Sequence, residues 1–115
     1  MNVKIERLNS SFVKEISQIL LEEIKDDDIK FVTITDCDIT SDLSFAKVYF
    51  TVLDDSKRET TLGALNKASG FIRSELSQRI DIRHTPELKF IFDASIEYGK
   101  KIEDLIEKIN DEENE

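Results

Sequence analysis

Apolar residues recur at spacings of three and four along the first part of the chain, which is typical of one face of an amphipathic helix. These apolar positions are Ile5, Leu8, Phe12, Ile16, Leu20 and Ile24. They predict a helix over roughly residues 3–25, and its opposite side carries Arg7 and Lys14. Three adjacent carboxylates, from Asp26 to Asp28, oppose the helix dipole, so we expect the helix to end before them.

The next two segments alternate between apolar and polar residues, as half-buried strands do. The first segment runs from Phe31 to about Ile39, and its apolar positions change phase near Asp36, which predicts a β-bulge. In the second segment one face carries Ala46, Val48, Phe50 and Val52. Because only the polar turn at residues 40–44 separates the two segments, we expect an antiparallel hairpin.

A second helical pattern extends from Leu62 to Ile80, after a polar Asp54-Asp55-Ser56 stretch that can cap a helix. Gly70 lies in the middle of this pattern. Glycine inside a helix costs about 1 kcal/mol relative to alanine. We therefore expect a kink, or a break into two helices, at Gly70.

The last regular segments follow a connector at residues 81–86. A short third strand is predicted by the shared face of Leu88, Phe90 and Phe92. Apolar residues between Ile96 and Ile109 predict an additional C-terminal helix, and we expect the acidic tail at residues 111–115 to be disordered. Residues 1–110 thus form one domain, for which a three-stranded sheet with helices on one face is the simple packing solution. We expect Val48 and Phe90 in its core.

Composition limits the class of protein further. The chain has 115 residues, of which 39% are hydrophobic and 36% charged, and this suits a single globular domain. No apolar run approaches the roughly 20 residues that cross a bilayer, and no secretory signal begins the chain. The single cysteine, Cys37, lies in a strand pattern and is expected to be a small buried hydrophobe. These features predict a cytoplasmic protein.

Charge is distributed unevenly along the chain. The net charge of −9 opposes binding to nucleic acid. Residues 26–56, however, hold two basic and eight acidic side chains, whereas residues 57–89 hold seven basic and four acidic ones. An RNA-binding surface is a local property, so the second of these segments has the charge that an anionic partner requires.

The sequence contains no recognisable pattern for catalysis or for binding a metal. The three glycines are too widely spaced to form a phosphate-binding loop, and one histidine with one cysteine cannot build a zinc site. Asp36, Asp38 and Asp42 fail the calcium-loop pattern, because Ser41 and Lys47 occupy the positions of its glycine and its glutamate. We therefore expect no enzymatic activity and no cofactor.

Several short motifs occur in one order from about Arg7 to about Leu105, and together they resemble the ribosome-binding factor A family. The motifs are Arg7 with Glu15, Val32-Thr33-Ile34-Thr35, Ser41-Asp42-Leu43 with Ala46-Lys47-Val48-Tyr49, Ala68-Ser69-Gly70 with Ile72-Arg73, Ile82-Arg83, Pro86-Glu87-Leu88-Lys89-Phe90, Asp93, and Gly99 before Ile102. Each motif is weak by itself, but their order and spacing across nearly the whole chain are specific. The acidic net charge and the short acidic tail depart from the basic surface that is common in this family.

The resemblance implies an α+β fold of the type II KH-like kind, with the order helix, strand, strand, helix, kink, helix, strand. It also implies that Ala68-Ser69-Gly70 forms an Ala-x-Gly kink between two helices, in place of the usual KH Gly-x-x-Gly loop. The function implied is that of a non-enzymatic assembly factor that binds free small ribosomal subunits and contacts their ribosomal RNA. Such a factor supports late maturation of that RNA, notably at its 5′ end and in the cold. We expect a monomer, with no membrane partner and no small-molecule substrate.

Within this interpretation, basic residues are the candidates for RNA contact. Arg73 shares a helical face with Ser69 and Ser77, and small neighbours would let a phosphate approach its guanidinium. The other candidates are Lys67 beside the kink, Arg83 and Lys89 around the connector before the last strand, and Arg7 with Lys14 on one side of the first helix. Arg79 lies four residues after Glu75, which favours an ion pair within the helix instead.

Two other classes of function stay open from the sequence. One is a protein-interaction module whose acidic surface recruits a basic ribosomal protein without direct RNA contact. The other is an α+β regulatory domain that binds a small molecule. A binding assay with small-subunit RNA separates RNA binding from protein recruitment, and stabilisation by a metabolite would support the regulatory domain.

Overall fold

The computed structural model describes residues 3–95, which fold as two helices against a three-stranded sheet. In chain order the elements are α1 (Val3–Glu22), β1 (Val32–Ile39), β2 (Phe45–Val52), α2 (Arg58–Arg79) and β3 (Glu87–Phe92). Short 3-10 turns precede β1 and α2, at Asp27–Ile29 and Asp55–Lys57. The predicted C-terminal helix and the acidic tail lie outside the described residues.

The sheet has the strand order β1-β2-β3, with β2 at its centre. β1 and β2 pair in antiparallel fashion, which confirms the predicted hairpin. The register shifts between Ile34 and Asp36, so the β-bulge predicted from the change of phase is confirmed. β3 pairs with β2 in parallel, and α2 is the crossover that a parallel connection requires.

The core lies between the sheet and the two helices. The inward side chains of β2 include Val48 and Phe50, which are fully buried, and Phe90 on β3 is 6% exposed. Phe12 of α1 and Ile72 of α2 close the core from the helical side, each with no exposed surface. The predicted burial of Val48 and Phe90 is therefore confirmed, and so is the α+β arrangement with both helices on one face.

Cys37 is buried on β1, as predicted, with 2% of its surface exposed. Burial raises the pKa of its thiol to about 12, and the neighbouring carboxylates of Asp36 and Asp38 act in the same direction. A thiol with so high a pKa is protonated at neutral pH, so its role is that of a small core residue.

The structure corrects the expectation of two helices around Gly70. α2 runs unbroken from Arg58 to Arg79, and the backbone of Gly70 does not adopt a positive φ. The helix buries Leu65 before Gly70 and Ile72 after it in the same core. Burial on both sides of the glycine outweighs its local cost of about 1 kcal/mol, so the helix continues through it.

Two aspartates act at the 3-10 turns and not at the long helices. Asp26 Oδ1 accepts a hydrogen bond from the backbone N–H of Asp28 at 2.9 Å, and Asp54 Oδ1 accepts one from Ser56 N–H at 3.0 Å. The stretch Asp54-Asp55-Ser56, expected to cap the second helix, instead forms a capped 3-10 turn, and α2 begins at Arg58 without a side-chain cap. Both carboxylates are therefore hydrogen-bonded to backbone N–H groups two residues further along the chain.

Candidate nucleic-acid interface

The outer side of α1 presents two of the predicted RNA-binding residues. Arg7 and Lys14 are both exposed, and their separation of seven residues places them on one side of the helix. That side is opposite the buried Phe12 and Ile16. Among the described residues, neither Arg7 nor Lys14 forms an ion pair or a side-chain hydrogen bond. Their charges are therefore available to an anionic partner.

Lys67 on α2 has the same character. It is exposed and likewise makes no ion pair within residues 3–95. Because α2 is continuous, a separation of six residues places the side chains of Lys67 and Arg73 about 120° apart around the helix axis. The helix therefore presents them on different faces.

Arg73 is committed to the protein's own backbone. Its Nε and Nη2 atoms both donate hydrogen bonds to the carbonyl oxygen of Thr85, at 3.0 and 2.8 Å. The bonds attach α2 to the connector before β3, and they leave the guanidinium half-buried. The guanidinium is therefore less accessible to a phosphate than its small helical neighbours suggest. A phosphate that entered the depression between Gly70, Ser77 and Thr85 would meet a guanidinium that is already bonded.

The other residues of the predicted kink have structural contacts. Ser69 Oγ donates a hydrogen bond to the carbonyl oxygen of Asn66 at 2.8 Å, within the helix. Ala68 is half-buried and packs against the core. Gly70 is exposed, and a Cβ atom built on it would meet nothing within 4 Å.

Arg79 holds the two helices together. Its guanidinium lies 3.7 Å from Glu75 on the same helix, which confirms the predicted ion pair. It also lies 3.4 Å from Glu15 of α1 and 3.7 Å from Glu23 just after α1. Three carboxylates around one arginine make a structural network, so this cation is not available to RNA.

The remaining two candidates lie around β3. Arg83 is exposed in the connector, and the described part of the chain offers it no ion pair. Lys89 projects from the outer face of the sheet, which is the face turned away from the helices. Its Nζ atom lies 4.3 Å from the centre of the Phe45 ring, so the cation rests on an aromatic face.

Sequence reasoning missed the neighbours of Lys89. Lys47 stands beside it in the register of β2 and β3, and Tyr49 stands beside Ile91. Aromatic rings with nearby cations are the usual means of holding unpaired nucleic-acid bases. Alternation placed Lys47 and Tyr49 on one strand face, but only the parallel pairing of β3 brings Lys89 next to them.

The six predicted RNA-binding residues are thus distributed over both helices, the connector before β3 and the outer face of the sheet. Arg7 and Lys14 lie on the outside of α1, Lys67 lies on α2, and Lys89 lies on the opposite side of the sheet from both helices. Within residues 3–95 there is also no cluster of three or more potential metal ligands and no helix long and apolar enough to cross a membrane.

The architecture and sequence were compared with known proteins. Residues 4–106 match the family model of ribosome-binding factor A. The chain is 45% identical to a ribosome-binding factor A from Macrococcus caseolyticus over 111 residues, which are 96% of this chain and 97% of that protein. The crystal structure of ribosome-binding factor A from Thermus thermophilus superimposes with a TM-score of 0.70 at 21% identity, covering 76% of this chain and 93% of that one.

A homology model of the Thermus thermophilus factor has been fitted into the cryo-EM map of its complex with the 30S subunit. It superimposes with a TM-score of 0.61 at 21% identity, and covers 83% of this chain and 97% of that one. These likenesses agree with the KH-like α+β fold that the sequence predicted. The match to the family model and the identity over nearly the whole chain show that the chain belongs to the ribosome-binding factor A family.

Proposed function

We propose that this protein is a non-enzymatic assembly factor that binds the free small ribosomal subunit. The observation that carries the proposal is the 45% identity to a ribosome-binding factor A along nearly the whole of both chains. The fitted Thermus thermophilus complex adds that a protein of this fold sits on a 30S subunit. Binding to the subunit requires no catalytic group, and composition and motifs nominate none.

The contact with ribosomal RNA is assigned to the basic residues that the protein does not use itself. Arg7, Lys14, Lys67 and Arg83 are exposed and lack ion pairs in the described chain, so their charges can pair with phosphates without breaking an internal contact. Lys89 joins them from the outer face of the sheet. Arg73 stays a weaker candidate, because a phosphate would have to share a guanidinium that already bonds Thr85.

The test is cosedimentation of the purified protein with free small subunits and with complete ribosomes. We expect binding to the free subunit and none to the complete ribosome. If three or four cations contact phosphates, the logarithm of the binding constant should fall with the logarithm of salt concentration at a slope of roughly −2 to −4. An affinity that does not respond to salt would contradict the RNA contact and favour recruitment through protein alone.

A pair of matched variants identifies the cations that matter. Arg7→Ala with Lys14→Ala removes two charges from α1, and the slope should become shallower by roughly 2. Lys25→Ala with Lys57→Ala removes two charges that lie among aspartates, and we expect the slope to be unchanged. Equal effects of the two pairs would mean that only net charge matters.

We further propose that binding supports late maturation of the small-subunit RNA, including its 5′ end, with a greater requirement in the cold. The test maps the 5′ ends of this RNA in cells that lack the protein, grown at normal and at low temperature. Immature 5′ ends should accumulate in these cells, and more of them should accumulate in the cold. Expression of the wild-type chain should restore mature 5′ ends, whereas expression of the variant with both Arg7→Ala and Lys14→Ala should not. Normal 5′ ends in the deficient cells would contradict this step.

A further inference from the structure

An apolar pocket of about 390 Å³ opens where the start of β1 meets the end of β2. Its apolar lining comes from Phe31, Val52 and Leu53. Val32 pairs with Val52 across the hairpin, so Phe31 and Leu53 come next to each other just beyond the paired ends of the strands. Pockets with an apolar lining and a few polar rim groups are the usual form of a binding site. We call this site the acidic pocket, for the rim described below.

Two residues of this apolar lining are unusually exposed for their size. Phe31 is 63% exposed and Leu53 is 81% exposed. A single exposed apolar side chain on a soluble protein needs no explanation, but two adjacent ones beside a cavity mark an interaction surface. Phe31 has one contact of its own, with Lys30 Nζ 5.7 Å from the centre of its ring, but most of its surface and that of Leu53 stays in water, which favours a partner that covers them.

The rim of the acidic pocket carries three carboxylates, those of Asp27, Asp28 and Asp54, and one ammonium group, that of Lys57. Hydrogen bonds from the hydroxyl and the backbone of Ser56 hold the pKa of Asp54 below its usual range, so this group is a carboxylate at neutral pH. The excess of negative charge repels phosphates and attracts lysine and arginine side chains. Charge therefore selects a basic protein segment and rejects RNA.

The walls of the acidic pocket are fixed before any partner arrives. Asp54 Oδ1 accepts hydrogen bonds from the N–H and the hydroxyl of Ser56, at 3.0 and 2.8 Å. On the other side of the pocket, Thr61 Oγ1 donates to the carbonyl oxygen of Asp28 at 2.9 Å, which attaches the turn at Asp27–Ile29 to α2. A rigid site loses little conformational entropy on binding.

We propose that the acidic pocket docks a lysine- or arginine-rich protein segment that carries one bulky apolar side chain, which enters between Phe31 and Leu53. The site is separate from the free cations of α1. The acidic pocket includes the turn that follows α1, and Arg7 and Lys14 precede the end of that helix by roughly 22 and 12 Å at 1.5 Å per residue. The inference goes beyond the proposed contact with RNA, because it gives the protein a second, protein-binding surface of opposite charge.

The probe is a fluorescent synthetic peptide with a central leucine and three lysines on either side. Its binding to the full chain is measured by anisotropy, and amide shifts locate the site. We expect saturable binding with shifts at Phe31, Leu53 and Asp54. The same peptide with serine in place of leucine, or with glutamates in place of the lysines, should bind about tenfold more weakly or not at all.

Three variants decide where the peptide sits. Leu53→Ser and the pair Asp27→Asn with Asp28→Asn should each weaken binding about tenfold without lowering the thermal midpoint, because all three side chains are exposed. Leu21→Ser is the matched control, since Leu21 is 84% exposed and lies outside the acidic pocket, and it should bind the peptide as the wild type does. Wild-type binding by Leu53→Ser, or an equal loss in Leu21→Ser, would overturn the proposal.

A titration with RNA tests whether the acidic pocket binds nucleic acid instead of protein. A short single-stranded RNA should leave the amide shifts of Phe31 and Leu53 unchanged, and shifts at these residues would overturn the assignment to a basic protein segment. The peptide measurement contains no ribosomal component. Failure of peptide docking therefore leaves the cosedimentation result standing, and failure of cosedimentation leaves the peptide result standing.

Discussion

Helices α1 and α2 are similar in length, at 20 and 22 residues, and both bury one side against the same face of the sheet. They differ in how they use their arginines, whereas Lys67 of α2 is exposed and lacks an ion pair among the described residues, as Arg7 and Lys14 of α1 do. On α1, Arg7 and Lys14 project into solvent without an ion pair among the described residues. On α2, Arg73 bonds the backbone of Thr85 and Arg79 is surrounded by three carboxylates.

This difference separates structural arginines from cations that can bind a partner. An exposed Arg7 can pair with a phosphate at little cost, because it gives up only water. Arg73 and Arg79 would first have to give up contacts that hold α2 to its neighbours. Arg7, Lys14 and Lys67 are therefore the cations that the proposed RNA contact can use at little cost, whereas Arg73 and Arg79 chiefly stabilise the fold.

The comparison assumes that one core holds both helices, and the largest expected effect tests that assumption. Phe90 lies on β3 with 6% of its surface exposed. Phe90→Ala should lower the free energy of unfolding by about 3–5 kcal/mol, because it leaves a cavity under α2. Chemical denaturation measures the change. A loss of less than about 1 kcal/mol would show that the residue is not part of a shared core.

Substitution of Arg73 should cause the second largest loss of stability. Arg73→Ala removes two charge-assisted hydrogen bonds and leaves the Thr85 carbonyl without them, so stability should fall by about 1.5–3 kcal/mol. Arg7→Ala is the control, and it should change stability by no more than about 0.5 kcal/mol. Thermal or urea denaturation of the two variants measures both changes.

The reverse result would break the comparison. If Arg73→Ala melts like the wild type and binds the small subunit less well, Arg73 is an RNA contact and not a structural bond. Arg73→Lys adds a further check, because it keeps the charge but cannot place two donors on one carbonyl in the same fork. It should therefore resemble the alanine variant in stability.

Arg79 should have a smaller effect. Arg79→Met keeps much of the apolar stem and removes the charge from between Glu15, Glu23 and Glu75. Stability should fall by about 1–2 kcal/mol, since the partly exposed pairs are individually weak and the carboxylates now repel one another. The loss should shrink in high salt, which screens that repulsion. A loss that is the same at all salt concentrations would point to packing alone.

Local patterns predicted most of the fold. Alternation identified the strands, a change of phase located the bulge at Asp36, and the four-residue spacing from Glu75 to Arg79 predicted their ion pair. These features depend on residues that are close in the sequence. Their geometry therefore follows from the repeat of a helix or a strand.

Contacts between distant residues were not predictable in this way. The bond from Arg73 to Thr85 and the approach of Arg79 to Glu15, 64 residues away, depend on how the elements pack. The pairing of Lys47 with Lys89 depends on the register of a parallel strand. The acidic pocket was missed for the same reason, since Asp27 and Leu53 come together only after the hairpin and α2 have formed.

Gly70 gives the smallest expected effect and tests the continuity of α2. Its backbone has no positive φ, and a Cβ would meet nothing within 4 Å. Gly70→Ala should therefore stabilise the protein by about 0.4–1 kcal/mol, because alanine restricts the unfolded chain and favours the helix. Gly63 is the matched control, since it is also exposed in α2 with nothing within 4 Å, and Gly63→Ala should stabilise by a similar amount. Thermal melts compare the two, and cosedimentation with small subunits should be unchanged in both. If Gly63→Ala stabilises the protein but Gly70→Ala destabilises it and loses subunit binding, α2 is kinked at Gly70. In that case α2 would have an RNA-binding role equal to that of α1.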